Sequence, residues 1–468
     1  MRRYSLVLLL LLAAGVAAVG SRRPSFDPRL KNSFRRPDRA GWIQVHLEGA
    51  PSEIGFQHGY WLAPEIDRTF RSVVLLAEHD TQKPWSFYRT AAEKVLWPHI
   101  EQQYRDELQG IVDGVQSRGL KLDLWDIVAH NAMEELPGYY VPWLKKQQGE
   151  ATTKLKGPPE SCSAFVATGS YTRDGRIVAG HNNWSDYVVG QHWNVVFDIA
   201  PASGYRMFMD GIPGIIASDD DFGVNSAGLI ITETTISRFF GFDPNGIPEF
   251  VRARKAMQYA GSIDEFDRIM RQGNNGGYAN TWLLADTKTN EIARLELGLL
   301  NVNLERTRDG YFTGANFPIS QKLEDQETEF DRQFPGVSAN ARHARWEKLM
   351  ADHKGKIDVA AAQRFLSDHR DTFTRTEEPN QRTICGHIDL SPDGLPSWQP
   401  PYGPAGAVQA KVTDAAMAAK LSFVASLGHP CGLRFRAAQH LREHPEFTWL
   451  KDHLRDLPSH PWTLFSAR

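Results

Sequence analysis

The chain has 468 residues, 41% of them hydrophobic and 23% charged, with 53 Lys and Arg against 56 Asp and Glu. That length and apolar content support a sizeable core and exclude global disorder. A net charge of −3 without a basic block leaves nucleic acid no electrostatic footprint.

Arg2 and Arg3 precede an apolar run over residues 6–19, and the small residues Gly20 and Ser21 follow. A charged start, a short apolar stretch and a small-residue end describe a secretory signal peptide over residues 1–20, too short for a span of about 20 residues. The mature chain is therefore expected to be exported, periplasmic or secreted, or lysosomal or extracellular in a eukaryotic host, with no stable membrane anchor after signal removal. Residues 21–39 are basic and carry three prolines, an extended lead-in. Over residues 55–144 apolar positions recur at helical spacing, as in Leu62, Ile66, Phe70, Val73 and Ala77, and again in Leu108, Ile111 and Val115. Residues 145–160 are polar and end in Gly157-Pro158-Pro159, the texture of an exposed linker.

At Ser161 the texture turns from helix to strand. Cys162-Ser163-Ala164-Phe165-Val166-Ala167 reads as a buried strand, Arg173-Asp174-Gly175-Arg176 as a turn and residues 177–181 as the returning strand. Further strands are predicted over 193–199, 229–234, 281–285 and 291–297, with a turn over 223–228. Helices are predicted over 249–260, 263–271, 339–352, 359–368 and 413–426. Strand hairpins separated by helical blocks predict an α+β sandwich with helices covering stacked sheets.

The chemistry is narrowed by what is missing. There is no G-x-S-x-G elbow, Walker or dinucleotide glycine pattern, C-x-x-C or H-E-x-x-H, so no cofactor is called for and no metal site is predicted. Three cysteines remain. In an oxidising compartment Cys385 and Cys431, both in the C-terminal region, are a candidate disulfide, which leaves Cys162 as an odd thiol. If the Ser161–Cys162 bond is cut, Cys162 carries a thiol and a free α-amine. An α-amine titrates near pH ~8 and a thiol near ~8.5, so the amine can take the thiol proton itself. The thiolate then attacks an acyl carbonyl, with amide side chains or backbone N–H groups binding the oxyanion. The bland alternative is a Cys buried in a strand as a small hydrophobe.

Cys162-Ser163-Ala164-Phe165 followed by Ala179-Gly180-His181-Asn182-Asn183-Trp184 resembles the phospholipase B-like family, with its C-S-A start and H-N-x-W motif one hairpin later. Thr232-Glu233-Thr234-Thr235-Ile236 is similar to its E-T-T-I. Tyr278-Ala279-Asn280-Thr281-Trp282 is similar to its Y-N-N-Q-W, with Ala279 replacing an Asn. Thr383-Ile384-Cys385, Asp389-Leu390 and Lys411-Val412-Thr413-Asp414 resemble its T-I-C…D-L…T-K-V-x-D region, except that Gly386 stands where the family has a second Cys. Each motif is short, but five in the same order cover about the whole mature chain.

The resemblance implies an N-terminal nucleophile hydrolase fold, an αββα sandwich of two stacked antiparallel sheets. A helical segment and linker (21–161) would be separated by cleavage between Ser161 and Cys162 from a hydrolase core (162–468), the halves staying associated. It implies Cys162 as nucleophile, His181 and Asn280 as catalytic partners, and Trp184, Thr234 and Thr235 at the substrate. Asn225 and Arg294 are further substrate-binding candidates. Amidase relatives carry Arg and Asp where His181 and Trp184 stand here. The expected activity is acyl ester or amide hydrolysis of a small molecule or lipid. An amidase or acyltransferase on N-acyl compounds, and an inactive binding protein on the same scaffold, are the alternatives.

Overall fold

A computed structural model describes residues 27–149, 162–219 and 222–467. The predicted signal peptide, Ser161 and the linker from residue 150 onward lie outside the described residues. Two sheets organise the chain. The larger has nine strands in the order β1 (Phe34–Arg35), β2 (Ile43–Gly49), β5 (Val195–Pro201), β6 (Met207–Gly211), β7 (Gly223–Asn225), β8 (Leu229–Thr235), β9 (Asn280–Asp286), β10 (Glu291–Leu297) and β11 (Val302–Thr307). The smaller has six: β12 (Gly310–Gly314), β3 (Ser163–Thr168), β4 (Val178–Asp186), β13 (Ala405–Asp414), β14 (Ser422–Leu427) and β15 (Thr463–Ser466). All neighbours are antiparallel except β2 and β5, which run parallel. The two sheets are thus antiparallel, as expected, with that one parallel pair inside the larger.

Strand alternation makes the layers. On β3, Ala164 and Val166 point between the sheets and meet Val196, Phe208, Ile230, Leu283 and Phe423 from strands of both. Phe165 and Ala167 point outward, onto Trp346, Leu349 and Phe365 of the helices Ser338–Asp352 and Val359–Leu366. The outer face of the nine-stranded sheet, including Leu47, Phe197, Ile231 and Leu284, is covered by helices carrying Ile54, Ile66, Leu108, Ile111 and Phe250. The result is an αββα sandwich, as expected. Each large apolar side chain buried this way contributes roughly 1.5–3 kcal/mol.

Two helices in that cover touch backbone to backbone. Gly55 and Gly59 of Pro51–Trp61 face Gly110 and Gly114 of Gln102–Ser117, and a Cβ at Gly55 would lie 1.9 Å from the Glu107 carbonyl oxygen. Helices this close tolerate only glycine at the crossing.

The segment before the linker is more than helical. It supplies β1 and β2, and β2 pairs with β5 along its whole length, so its chain is woven into the larger sheet. One helix is also overturned. Residues 413–426 form the end of β13, a short helix Ala415–Ala418 and β14. The alanine-rich stretch has helical propensity, but pairing of β14 with β13 and β15 overrides it.

Candidate active site

Cys162 sits just before β3, buried, with φ at +90°. A side-chain-bearing residue held there stores strain on the order of 1 kcal/mol or more, which the surroundings must maintain. Arg342, from the helix Ser338–Asp352, donates from Nη1 to the Cys162 carbonyl (2.7 Å) and to Ser163 Oγ (3.1 Å), and from Nη2 to Asn316 Oδ1 (2.9 Å). Its guanidinium lies 4.4 Å from the centre of a Trp184 ring. A planar, permanently charged fork can serve these partners at once where Lys cannot.

The Cys162 thiol donates to Asn183 Oδ1 at 3.6 Å. Asn183 Nδ2 is buried without a hydrogen-bond partner, a donor aimed at nothing in the protein. Cys162, His181 and Glu233 bring one side-chain atom each within 4.8 Å of one another. His181 also stacks on Phe222, ring centres 6.2 Å apart. Tyr278 donates to Glu233 Oε1 at 3.4 Å, and its hydroxyl lies 2.8 Å from Thr235 Oγ1. Burial, with the Glu233 carboxylate and Cys162 adding to it, pushes the Tyr278 phenol well above its usual range, so it stays a neutral donor. With its amide oriented to suit its surroundings, Asn280 Nδ2 donates to Glu233 Oε2 at 2.7 Å and to the Ala279 carbonyl at 3.1 Å. Asn280 therefore holds Glu233 rather than presenting a spare donor.

A cavity with an empty volume of about 920 Å³ including its mouth opens beside this cluster. Asn183 and Tyr278, which bond Cys162 and Glu233, are among its lining residues, as is Trp184. Leu76, Ala77, Val189, Trp193 and Trp398 form apolar walls, and Asp80, Glu134 and Asp186 add carboxylates. Burial, with Asp186 nearby, lifts the Glu134 carboxyl to about 7. One wall comes from the helix Ala63–Thr81 and the turn Leu136–Tyr140, before the linker. The other comes from β4, after it.

The remaining predicted residues lie elsewhere. Asn225 is a turn residue: its Nδ2 donates to the carbonyls of Met257 and Ala260, and its Oδ1 accepts from the N–H groups of Ala227 and Leu229. Arg294 pairs with Glu305 across β10 and β11, with its guanidinium 5.0 Å from the Phe312 ring centre. Neither lines the cavity, and each side chain is engaged by the protein partners just named. Thr234 packs against β12, where a Cβ on Gly314 would lie 2.5 Å from its Oγ1. Thr235 serves the site at one remove, through Tyr278. Cys385 and Cys431, the candidate disulfide pair, are both free thiols in this structure.

Asn183, Glu233, Tyr278 and Arg342 escaped the sequence reading. The first three stand inside the quoted motifs, beside residues that were chosen. Arg342 had no local signal, because only the helix packing on β3 brings it to Cys162.

A family model described as Phospholipase B matches residues 82–463. Putative phospholipase B-like 1 of Caenorhabditis elegans is 24% identical over 391 residues, covering 76% of this chain and 67% of that protein. Phospholipase B-like 1 of Homo sapiens is 24% identical over 419 residues, covering 80% and 74%. Phospholipase-B 81 of Drysdalia coronoides is 27% identical over 283 residues, covering 54% of this chain and 49% of that protein, so the match spans about half of that relative's length. Among solved structures, a mutant of the conjugated bile acid hydrolase from Clostridium perfringens aligns with a TM-score of 0.32 and 12% identity, over 56% of this chain and 88% of that one. The sandwich described above rests on the strand pairing itself. Among the described residues no helix is long and apolar enough to cross a membrane.

Proposed function

The chain belongs to the phospholipase B family of hydrolases, and from that premise we propose that it is an exported, self-processed cysteine hydrolase of acyl esters or amides, with Cys162 as nucleophile. The observation that carries this reading is the setting of Cys162. It is a thiol immediately before a strand, in strained backbone, hydrogen-bonded to Asn183, which lines an adjoining cavity.

Cleavage before Cys162 frees the α-amine, which accepts the thiol proton. The sulfur attacks the acyl carbonyl to form a tetrahedral intermediate. Asn183 Nδ2, a buried donor without a partner, binds the oxyanion, a role worth on the order of 3 kcal/mol. The amine returns its proton to the leaving group, a thioester remains, and water releases the acid. Arg342 holds the Cys162 carbonyl while the free terminus does this work. Glu233, held by Tyr278 and Asn280, and His181 position the amine end. Because the cavity is built from both sides of the linker, the two pieces remain associated after the cut.

The walls favour an acyl lipid over a small N-acyl amide. Apolar side chains suit an acyl chain, and the indoles of Trp184, Trp193 and Trp398 with Asp80 and Asp186 suit a cationic head group. The test has two steps. N-terminal sequencing and intact mass of exported protein are expected to show a new chain starting at Cys162 in the wild type and none in Cys162→Ala. Release of fatty acid from phosphatidylcholine is then expected to exceed release from N-acyl amides. An uncut, folded wild type removes the built-in base and leaves the binding-protein alternative. Turnover of amides only moves the assignment to an amidase.

A further inference from the structure

A second thiol cluster lies apart from Cys162. His369 follows the helix Val359–Leu366, Cys385 and His387 precede the turn Ile388–Leu390, and Cys431 follows β14. One ligand-capable atom from each of the four lies within 4.8 Å of the others. We propose that His369, Cys385, His387 and Cys431 form a structural binding site for one borderline-soft divalent metal ion, with the chemistry of Zn2+.

The donor set is two thiols and two imidazoles, a composition that recurs in closed tetrahedral zinc sites. The spacing fits as well. Zinc–sulfur and zinc–nitrogen bonds of about 2.3 and 2.05 Å at a tetrahedral angle put S and N about 3.6 Å apart. His387 Nε2 lies 3.4 Å from Cys385 Sγ and 3.5 Å from Cys431 Sγ. His369 Nε2 is shielded from solvent and has no hydrogen-bond partner, and its ring meets that of His387 edge to face with centres 5.2 Å apart.

Surrounding groups already orient the donors. His387 turns its other nitrogen, Nδ1, to within 3.9 Å of Asp389 Oδ1, the carboxylate–histidine arrangement that steers a metal-bound imidazole. Asp389 accepts from Tyr187 Oη at 2.8 Å, and Tyr187 Oη in turn lies 2.8 Å from His429 Nε2. Asp389 and His429 are thus occupied with Tyr187, while the sulfurs and His369 face inward. The three loops are pinned independently: Cys385 N donates to the Asp368 carbonyl at 3.1 Å, and Ser367 Oγ to the Pro430 carbonyl at 3.0 Å. Cys385 and His387 are buried, whereas His369 and Cys431 keep partial exposure, which leaves a way in. Binding would release the two thiol protons to solvent, with no change in oxidation state.

The site would brace the cavity. Gly386, between two of the donors, lies directly against the Trp184 indole, and Cys385 packs with Trp184 and Trp398 in one cluster. Both indoles line the cavity.

The test uses the full exported chain, purified under mild reductant and stripped with a chelator. Elemental analysis after adding Zn2+ is expected to give one ion per chain in the wild type and in Cys162→Ala, and none in the Cys385→Ser/Cys431→Ser double variant. The control matters because Cys162, His181 and Glu233 also lie within 4.8 Å of one another. Zn2+ is expected to raise the melting temperature of the wild type by several degrees, as for any ligand that binds only the folded state. Should the double variant fail to fold, Co2+ on the stripped wild type decides: thiolate-to-cobalt charge transfer with the d–d bands of a tetrahedral ion is expected. A folded wild type that takes up no stoichiometric Zn2+ overturns the proposal. So does a cobalt spectrum without thiolate bands, loss of the ion in Cys162→Ala, or a Cys385–Cys431 disulfide in a non-reducing peptide map.

Discussion

The two thiol clusters of this protein share ingredients and differ in arrangement. Cys162 is one sulfur in left-handed backbone, with an amide oxygen as hydrogen-bond acceptor and a cavity beside it. Cys385 and Cys431 converge with two imidazoles on one point, and neither is hydrogen-bonded to a residue that lines the cavity as Cys162 is to Asn183. A nucleophile needs room for a substrate carbonyl and a base at one side. A metal site needs its donors to close on one another. The arrangement of the neighbouring groups, not residue type, separates the two.

The largest expected effect sharpens that contrast. Cys162→Ala is expected to abolish processing and to lower acyl hydrolysis by at least about a thousandfold, while circular dichroism stays native. Equivalent loss from Cys385→Ala, with Cys162 intact, would break the comparison. Next, Asn183→Ala is expected to lower kcat about a hundredfold or more with little change in KM, because its amide acts on the oxyanion rather than the bound substrate. Steady-state kinetics on one ester substrate checks this.

Gly386→Ala probes the wall shared by the two clusters. A Cβ there would lie 2.1 Å from the Trp184 indole, which the Arg342 guanidinium also contacts. The indole would have to shift from a buried position, so a loss of about 2–3 kcal/mol is expected in urea unfolding.

The smallest effect is a pH dependence. Burial lifts Glu134 and Glu135 to about 7, above the 4.5 of an unperturbed Glu. The fold therefore favours their protonated forms. That stability is complete below about pH 4.5 and is lost as the pH rises through 7. Stability is expected to fall by on the order of 1–2 kcal/mol between pH 5 and 8, a figure reduced for the partial exposure of Glu134 to the cavity. Glu134→Gln is expected to flatten the slope, read from urea midpoints across that range.

Much of the outline was legible in the chain. The helix Ile263–Arg271 and the strand Glu291–Leu297 fall where periodicity puts them, because long runs with one clear period leave little choice. The segment over residues 413–426 was misread, since alanine-rich local propensity favours helix and only neighbouring strands correct it. Asn225 and Arg294 are polar residues near strands, and nothing local distinguishes a turn clamp or a cross-strand ion pair from a ligand contact. The parallel pairing of β2 with β5 had no signal at all, because pairing across such a separation leaves no trace in either strand's own pattern.

The sequence by itself determined the family resemblance, the alternation of strands and helices, and Cys162 as the thiol next to the change of texture at Ser161. These are local properties, carried by neighbouring residues and their spacing. Tertiary structure alone decided that Arg342 holds the Cys162 carbonyl, that Asn183 offers the free amide, that the cavity is walled from both sides of the linker, and that His369, Cys385, His387 and Cys431 meet. Each of those depends on where distant elements stop against one another. That is set by packing of the whole core, to which no short stretch of sequence has access.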